Sequence, residues 1–222
     1  MVQLKITADG SHTLVSDQFE NETYHSTNGA INESQIVFIE TGLKYLVSKG
    51  YSTIKILEFG FGTGLNAFLS LIEAEKSHIV IKYTSIEAFP ISLDTASQLN
   101  YANQLNFPTK DFLKLHECSW GEEKKMNNYF FLNKLHTDFV SFSTEEKFDL
   151  IYYDAFSPAT QPELWEKLMM QKVFDLLKKV GLVTTYCAKG AFKRTLKESG
   201  FEIESLPGPV GKREITRAFK KI

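Results

Sequence analysis

Three glycines and three carboxylates stand where this chain could do chemistry. Gly60, Gly62 and Gly64 lie in the run ILEFGFGTGLN, with Glu58 two residues ahead of the first. Glu87 closes YTSIE, and Asp154 sits in YYDAFSPATQPELW. Glycine permits positive φ, a tight turn and close approach of backbone to a ligand. The helix-like segment behind it offers unpaired N–H groups. The dinucleotide fingerprint spaces its last glycine three residues after the second, which makes room for a pyrophosphate. Here that spacing is two. An acid beside the loop repels phosphate and suits a cationic amino group. Glu87, 23 residues after Gly64, ends the next strand, where a carboxylate can accept hydrogen bonds from both hydroxyls of a ribose. Asp154 reaches the carboxyl edge of the sheet, the edge at which α/β proteins bind ligands. A carboxylate there can orient an amine and take its proton. Taken singly, each feature has a plainer reading: a tight strand–helix connection, a strand-end acid, a loop cap.

These residues need strands to deliver them, and the sequence alternates strands with helices. Ile54 to Phe59 is a short β-rich run, and Leu65 to Glu75 reads as the helix behind the glycines. Ile79 to Ile86 predicts a second strand and Ser92 to Asn103 a helix. A strand or hairpin around Tyr129–Leu135 follows. Phe148 to Tyr153 is a buried-strand run, Trp165 to Lys179 has helical period, and Gly181 to Cys187 is another strand. Ala191 to Ser199 predicts a helix ended by Gly200, and the tail reads as two strands about a Gly/Pro-rich turn. Upstream, Ile36, Val37, Ile39, Leu43 and Leu46 keep a helical period from Glu33 to Lys49, with Gly50 as C-cap. Such alternation predicts an α/β fold with a mostly parallel sheet covered on both faces and an antiparallel edge. Residues 1–50 are expected as an N-terminal extension and first helix packed on a core formed by 51–222, one structural domain overall.

Composition narrows the function classes. The chain has 222 residues, 43% hydrophobic and 23% charged, enough for one sizeable core. No stretch approaches the roughly 18 apolar residues of a membrane helix, and the N-terminus lacks a signal-peptide pattern. Cys118 and Cys187 are too few for a disulfide framework and lack metal-ligand spacing. A cytoplasmic, metal-free protein with no membrane partner is expected. Five scattered histidines, His12, His25, His78, His116 and His136, show no pairing and read as incidental. The net charge of −2 conceals a split: residues 172–222 carry 12 Lys and Arg against 5 Asp and Glu. That basic quarter is either an anion-facing patch or a set of solvated faces.

The runs YHSTNGAINESQIVFIETGL, LEFGFGTGLN, SIEAFP, YYDAFSPATQPELW and GKRE together resemble one family. It is the methyltransferase domain of the tRNA 5-methylaminomethyl-2-thiouridine biosynthesis protein MnmC. The likeness spans residues 20–220 and is weakest over 104–147. The glycine motif is shared with many methyltransferases; DAFSP followed by Pro162 and Trp165, with STNG upstream, is narrower. The resemblance implies a Rossmann-like S-adenosylmethionine-dependent methyltransferase fold with a seven-stranded sheet. It also implies tRNA as substrate, with methylation of an aminomethyl group on a modified wobble uridine. S-adenosylmethionine is then the cofactor, with no flavin, and a separate enzyme supplies the aminomethyl uridine.

Carried over by motif, Glu58, Gly60, Gly62, Thr63, Gly64, Asn66 and Glu87 would face the cofactor, with Asp138 at the adenine edge or merely in a turn. Asp154 and Phe156 would stand between cofactor and amine. Ser26, Asn28 and Gly29 form either a loop over the site or a plain surface turn before a helix capped near Asn32. Lys212 and Arg213 present charge to RNA or join a hairpin salt bridge, and Lys189 brings a charge where the family suggests a small uncharged loop. An aminopropyltransferase of the spermidine synthase type, or a non-catalytic tRNA-binding module, fits the same fold. Contact between Glu58 and the amino-acid end of the cofactor would separate the two enzymes, because the decarboxylated cofactor lacks a carboxylate.

Overall fold

The computed structural model describes residues 3–19 and 22–221. A short hairpin opens the chain, β1 (Gln3–Ile6) against β2 (His12–Val15). A helical stretch follows, built from α1 (Ala30–Ser34), a π-helical segment (Gln35–Leu43) and α2 (Lys44–Ser48). The strand–helix alternation then runs β3 (Thr53–Phe59), α3 (Leu65–Ser77), β4 (Val80–Glu87), α4 (Leu93–Ser97), α5 (Tyr101–Gln104) and α6 (Thr109–Glu117). Next come β5 (Lys124–Lys125), β6 (Phe130–His136), β7 (Phe148–Tyr153), α7 (Lys167–Leu176) and β8 (Leu177–Thr185). The chain closes with α8 (Gly190–Glu198), β9 (Phe201–Pro207) and β10 (Glu214–Lys220).

One sheet of eight strands, in the order β5-β6-β4-β3-β7-β8-β10-β9, forms the centre. The predicted mostly parallel sheet is present, with two differences from seven strands and one antiparallel edge. The two-residue β5 adds an antiparallel strand beside β6. At the other end the antiparallel strand is β10, and it lies inside the edge, between β8 and β9. The crossover from β8 through α8 to β9 leaves a one-strand gap, which the returning hairpin arm fills.

β3 and β7 are buried almost throughout, so their residues pack on both faces and read as apolar runs. One face carries Val37, Phe38 and Leu43 of the first helical stretch, with Leu65 and Phe68 of α3 and Phe112 of α6; Leu14 of the hairpin shares that core. The opposite face carries Met170 and Val173 of α7 and Phe192 and Leu196 of α8. The helix expected over 165–179 is shorter, because Leu177 already pairs with Phe148 and Val180 turns to φ 63°. The helix expected over 92–103 breaks before Asn100, whose side chain accepts from His12 N at 2.9 Å and donates to Gly10 O at 2.9 Å. That amide fastens the hairpin to the core.

Candidate active site

The carboxyl ends of β3, β4, β6 and β7 open into a cavity of about 650 Å³. Residues 18–19 and 22–27, which follow β2, form a further wall, and Tyr186 and Lys212 complete it. Its volume lies in the range of small-molecule sites.

The glycine turn forms the floor. Gly60, Gly62 and Gly64 all have positive φ, at 98°, 49° and 75°. A Cβ at position 60 would lie 3.0 Å from the Asp154 carbonyl oxygen, tighter than ordinary contact, so a side chain there would press the two turns apart by a few tenths of an ångström. Gly60 N and Phe61 N both donate to Ile86 O, at 3.0 and 3.2 Å. Gly62 N donates to Glu87 Oε2 at 2.8 Å, and Phe89 N to Glu87 Oε1 at 2.8 Å. Gly60, Gly62, Thr63, Asn66 and Glu87 line the cavity; Gly64 does not, and serves as the N-cap of α3.

Asp154 follows β7 and lines the cavity. Asn66 Nδ2 donates to its Oδ2 at 2.8 Å. Burial raises its pKa to about 7; Glu33 adds to the rise, while Asn66 and Lys212 oppose it. The loop beyond is held firmly: Trp165 Nε1 donates to Phe156 O at 2.8 Å and Tyr186 OH to Ala155 O at 2.9 Å. The Phe156 ring joins Phe19, at 4.9 Å between centroids, and Tyr24, at 5.5 Å. These three rings make an aromatic wall beside Asp154.

Sequence reasoning missed several members. Glu33 in α1 is buried, lines the cavity, and accepts from Ser26 N at 2.8 Å and from Lys212 Nζ. The Lys212 ammonium also lies 4.1 Å from the Tyr186 ring centroid. His25 and His116, expected to be incidental, both hold Thr63: His25 Nε2 lies 2.6 Å from Thr63 Oγ1, and His116 Nε2 lies 3.1 Å from Thr63 O. Burial lowers each histidine to about 4. His25 stands within the YHSTNG run, a signal of position; His116 had none.

Other expected residues sit elsewhere. Glu58 is fully buried beneath the turn and is not among the cavity-lining residues. Its carboxyl lies in the packing layer of the sheet, where Oε2 accepts from Ser85 Oγ at 2.6 Å. Glu58 therefore stands behind the cavity wall, not on it as expected. Ser26 lines the cavity, whereas Asn28 is exposed and Gly29, not Asn32, caps α1. Asp138 is exposed at the rim, its Oδ1 accepting from Ser141 N at 2.8 Å. Lys189 and Arg213 are exposed and do not line the cavity. The expected hairpin salt bridge is replaced by pairs to other elements, Lys212 with Glu33 and Glu214 with Lys193. Much of the basic quarter is engaged likewise, with Arg217 on Glu204 and Lys178 on Asp149.

The donor set selects a kind of ligand. Glu22, Glu33, Glu87, Asp138, Asp154 and Glu163 line the cavity, against Lys212 alone among lysines and arginines of the described residues. Phosphates are disfavoured by such a wall and cationic groups are favoured. One buried acceptor, Gln161 Oε1, belongs to a cavity-lining residue and lacks a partner. A ligand with ribose hydroxyls, an ammonium and a sulfonium fits this chemistry.

Comparison with known proteins agrees. Residues 122–221 match a family model described as S-adenosyl-L-methionine-dependent methyltransferase. The tRNA 5-methylaminomethyl-2-thiouridine biosynthesis bifunctional protein MnmC of Leptospira interrogans is 31% identical, over 95% of this chain and 34% of its own length. The chain is a homologue of the methyltransferase part of MnmC. It spans about a third of the length of the curated relatives it matches. Among solved structures, MNMC2 from Aquifex aeolicus superposes with TM-score 0.79 at 24% identity, covering 98% of this chain and 70% of that one. Spermidine synthase from Thermotoga maritima shares the fold, with TM-score 0.59 at 12% identity, covering 99% and 68%. The chain is an S-adenosylmethionine-dependent methyltransferase. Among the described residues no helix is long and apolar enough to cross a membrane.

Proposed function

We propose that this protein methylates the primary amine of a 5-aminomethyl-2-thiouridine at the wobble position of tRNA, using S-adenosylmethionine. The observation that carries the reading is Asp154, raised to about 7 and aimed by Asn66 into a carboxylate-rich cavity. The homology to proteins named for this tRNA modification supplies the substrate.

Gly60, Gly62, Thr63, Asn66 and Glu87 hold the cofactor, Glu87 through the ribose hydroxyls and Asp138 at the rim through the adenine. Bound there, S-adenosylmethionine supplies a methyl group that leaves its sulfonium for a neutral amine nitrogen. An alkylammonium has a pKa of about 10, so its neutral form is about a thousandth of the total at pH 7. Selecting that form is the work of the site. A carboxylate near 7 is a better proton acceptor than an ordinary aspartate and is still ionised in good part at neutral pH. Asp154 Oδ1 accepts the amine's proton while Oδ2 stays on Asn66. Phe156, Phe19 and Tyr24 exclude water from the amine and flank the flipped base. Ser26 and Lys212 face the acceptor, and the exposed Lys189 and Arg213 meet phosphate. No flavin or metal enters this chemistry, and an enzyme leaving a primary aminomethyl group must precede it.

The experiment uses radiolabelled S-adenosylmethionine with tRNA carrying the aminomethyl nucleoside, followed by nucleoside analysis. Label in the methylaminomethyl nucleoside is expected. Absence of label from tRNA, with aminopropyl transfer to a polyamine from the decarboxylated cofactor, would replace the reading by the spermidine synthase one. Binding of tRNA with neither reaction would leave a non-catalytic module.

A further inference from the structure

Behind the cavity lies a carboxyl group that the methyl transfer as derived does not use. Glu58 has no exposed surface, and its Oε2 accepts from Ser85 Oγ at 2.6 Å. The groups facing it come from three elements: Tyr83 and Ser85 of β4, Asn66 of α3, and Tyr152 with Asp154 at β7 and its end. None carries a positive charge. Tyr83 and Asn66 lie within hydrogen-bonding reach of the Glu58 carboxyl, yet Glu58 Oε1, Asn66 Oδ1 and Tyr83 OH have no partner of good geometry. An ionised carboxylate only accepts, so it cannot satisfy the Asn66 oxygen, which also only accepts. A protonated one can. A buried charge without a cation is costly, and a carboxyl in such a place keeps its proton.

We propose that Glu58 is a positioning residue, held as the neutral acid, whose proton fixes the Asn66 amide with its oxygen inward and its Nδ2 on Asp154. The chain Ser85–Glu58–Asn66–Asp154 then runs from the sheet interior to the cavity. Burial, which raises Glu58 to about 8, agrees with the neutral form at pH 7. This inference rests on the proposed methyl transfer for its kinetic readout but not for its other two.

The test compares E58Q and E58A with the wild type. Glutamine reproduces one donor and one acceptor of the neutral acid; alanine removes both. Infrared difference spectra at pH 7 are expected to show a protonated carboxyl band in D154N that is absent from the double variant D154N/E58Q; Asp154, itself partly protonated near pH 7, contributes to neither. Calorimetry is expected to give S-adenosylmethionine affinity within twofold of wild type for E58Q. In turnover, E58A is expected to lose about tenfold or more in kcat, with E58Q restoring it to within threefold. A tenfold loss of cofactor affinity in E58Q would make Glu58 a cofactor ligand and overturn the proposal. E58Q as slow as E58A, or a D154N protein without the protonated band, overturns it equally. Failure of the wild type to bind S-adenosylmethionine is a separate outcome and sinks the functional reading while leaving the infrared result to judge Glu58.

Discussion

The Gly62 amide donates to Glu87 Oε2 at 2.8 Å, so the carboxylate at the end of the second parallel strand braces the turn at the end of the first. Its other oxygen is held by Phe89 N at 2.8 Å. Two backbone donors fix the carboxylate plane while each oxygen keeps a lone pair for the cavity. One side chain therefore both shapes the glycine turn and faces the cavity.

That double duty sets the cost of changing it. E87Q loses one acceptor oxygen and the charge, a loss of about 1.5–3 kcal/mol for a charge-assisted pair. Calorimetry is expected to show S-adenosylmethionine binding weakened roughly 10- to 100-fold. Turnover at saturating cofactor stays within about threefold of wild type. An unchanged affinity would remove Glu87 from the ribose site.

Asp154 carries the acceptor chemistry. D154N is expected to lower kcat by about a thousandfold, the scale of a lost general base, with cofactor affinity within about threefold. The carboxylate must be ionised to take a proton, and its pKa is raised to about 7. The wild-type rate therefore rises with pH through about 7 and is low at pH 5. A rate flat from pH 5 to 8 at saturating substrates argues against the assignment.

Gly60 separates two turns that almost touch. Alanine there meets both φ 98° and the Asp154 carbonyl at 3.0 Å. A side chain in the left-handed region costs about 1 kcal/mol before any clash. G60A is expected to lower the melting temperature by about 2–4 °C per kcal/mol for a chain of this size. Its kcat falls more than that of G50A, whose added Cβ meets nothing within 4 Å. Equal effects of the two changes would mean that contact between the turns is immaterial.

The buried histidines make the site sensitive to acid. His25 and His116 are lowered to about 4 by burial, against 6.5 for the free side chain. Their folded forms are neutral, so the unfolded chain binds more protons below pH 6.5. Their contribution to stability is full above pH 6.5 and is lost as pH falls to about 4. H116Q removes one part of that slope. Measured by chemical denaturation, the stability advantage of wild type over H116Q is expected to shrink from pH 7 to pH 4. An advantage that grows in acid contradicts the neutral assignment.

Sequence by itself determined the strand–helix alternation, the glycine turn and the strand ends that carry Glu87 and Asp154. These features are local: a positive φ needs glycine, and a buried strand needs an apolar run. It determined equally the DAFSP run and the Trp165 that follows it; that the indole holds the Phe156 carbonyl nine residues back came from the structure. Tertiary structure alone decided that Glu58 faces Ser85 instead of the cavity, since both faces of β3 are buried and periodicity does not choose between them. It alone brought Glu33 to Lys212 across 179 residues, and His25 and His116 to Thr63 across 38 and 53. No local pattern encodes such pairs, because each partner's position is set by the packing of a different element. The place of β10 inside the sheet edge is of the same kind: two strands and a turn can be read from the chain, but which one pairs with β8 depends on the gap that the α8 crossover leaves.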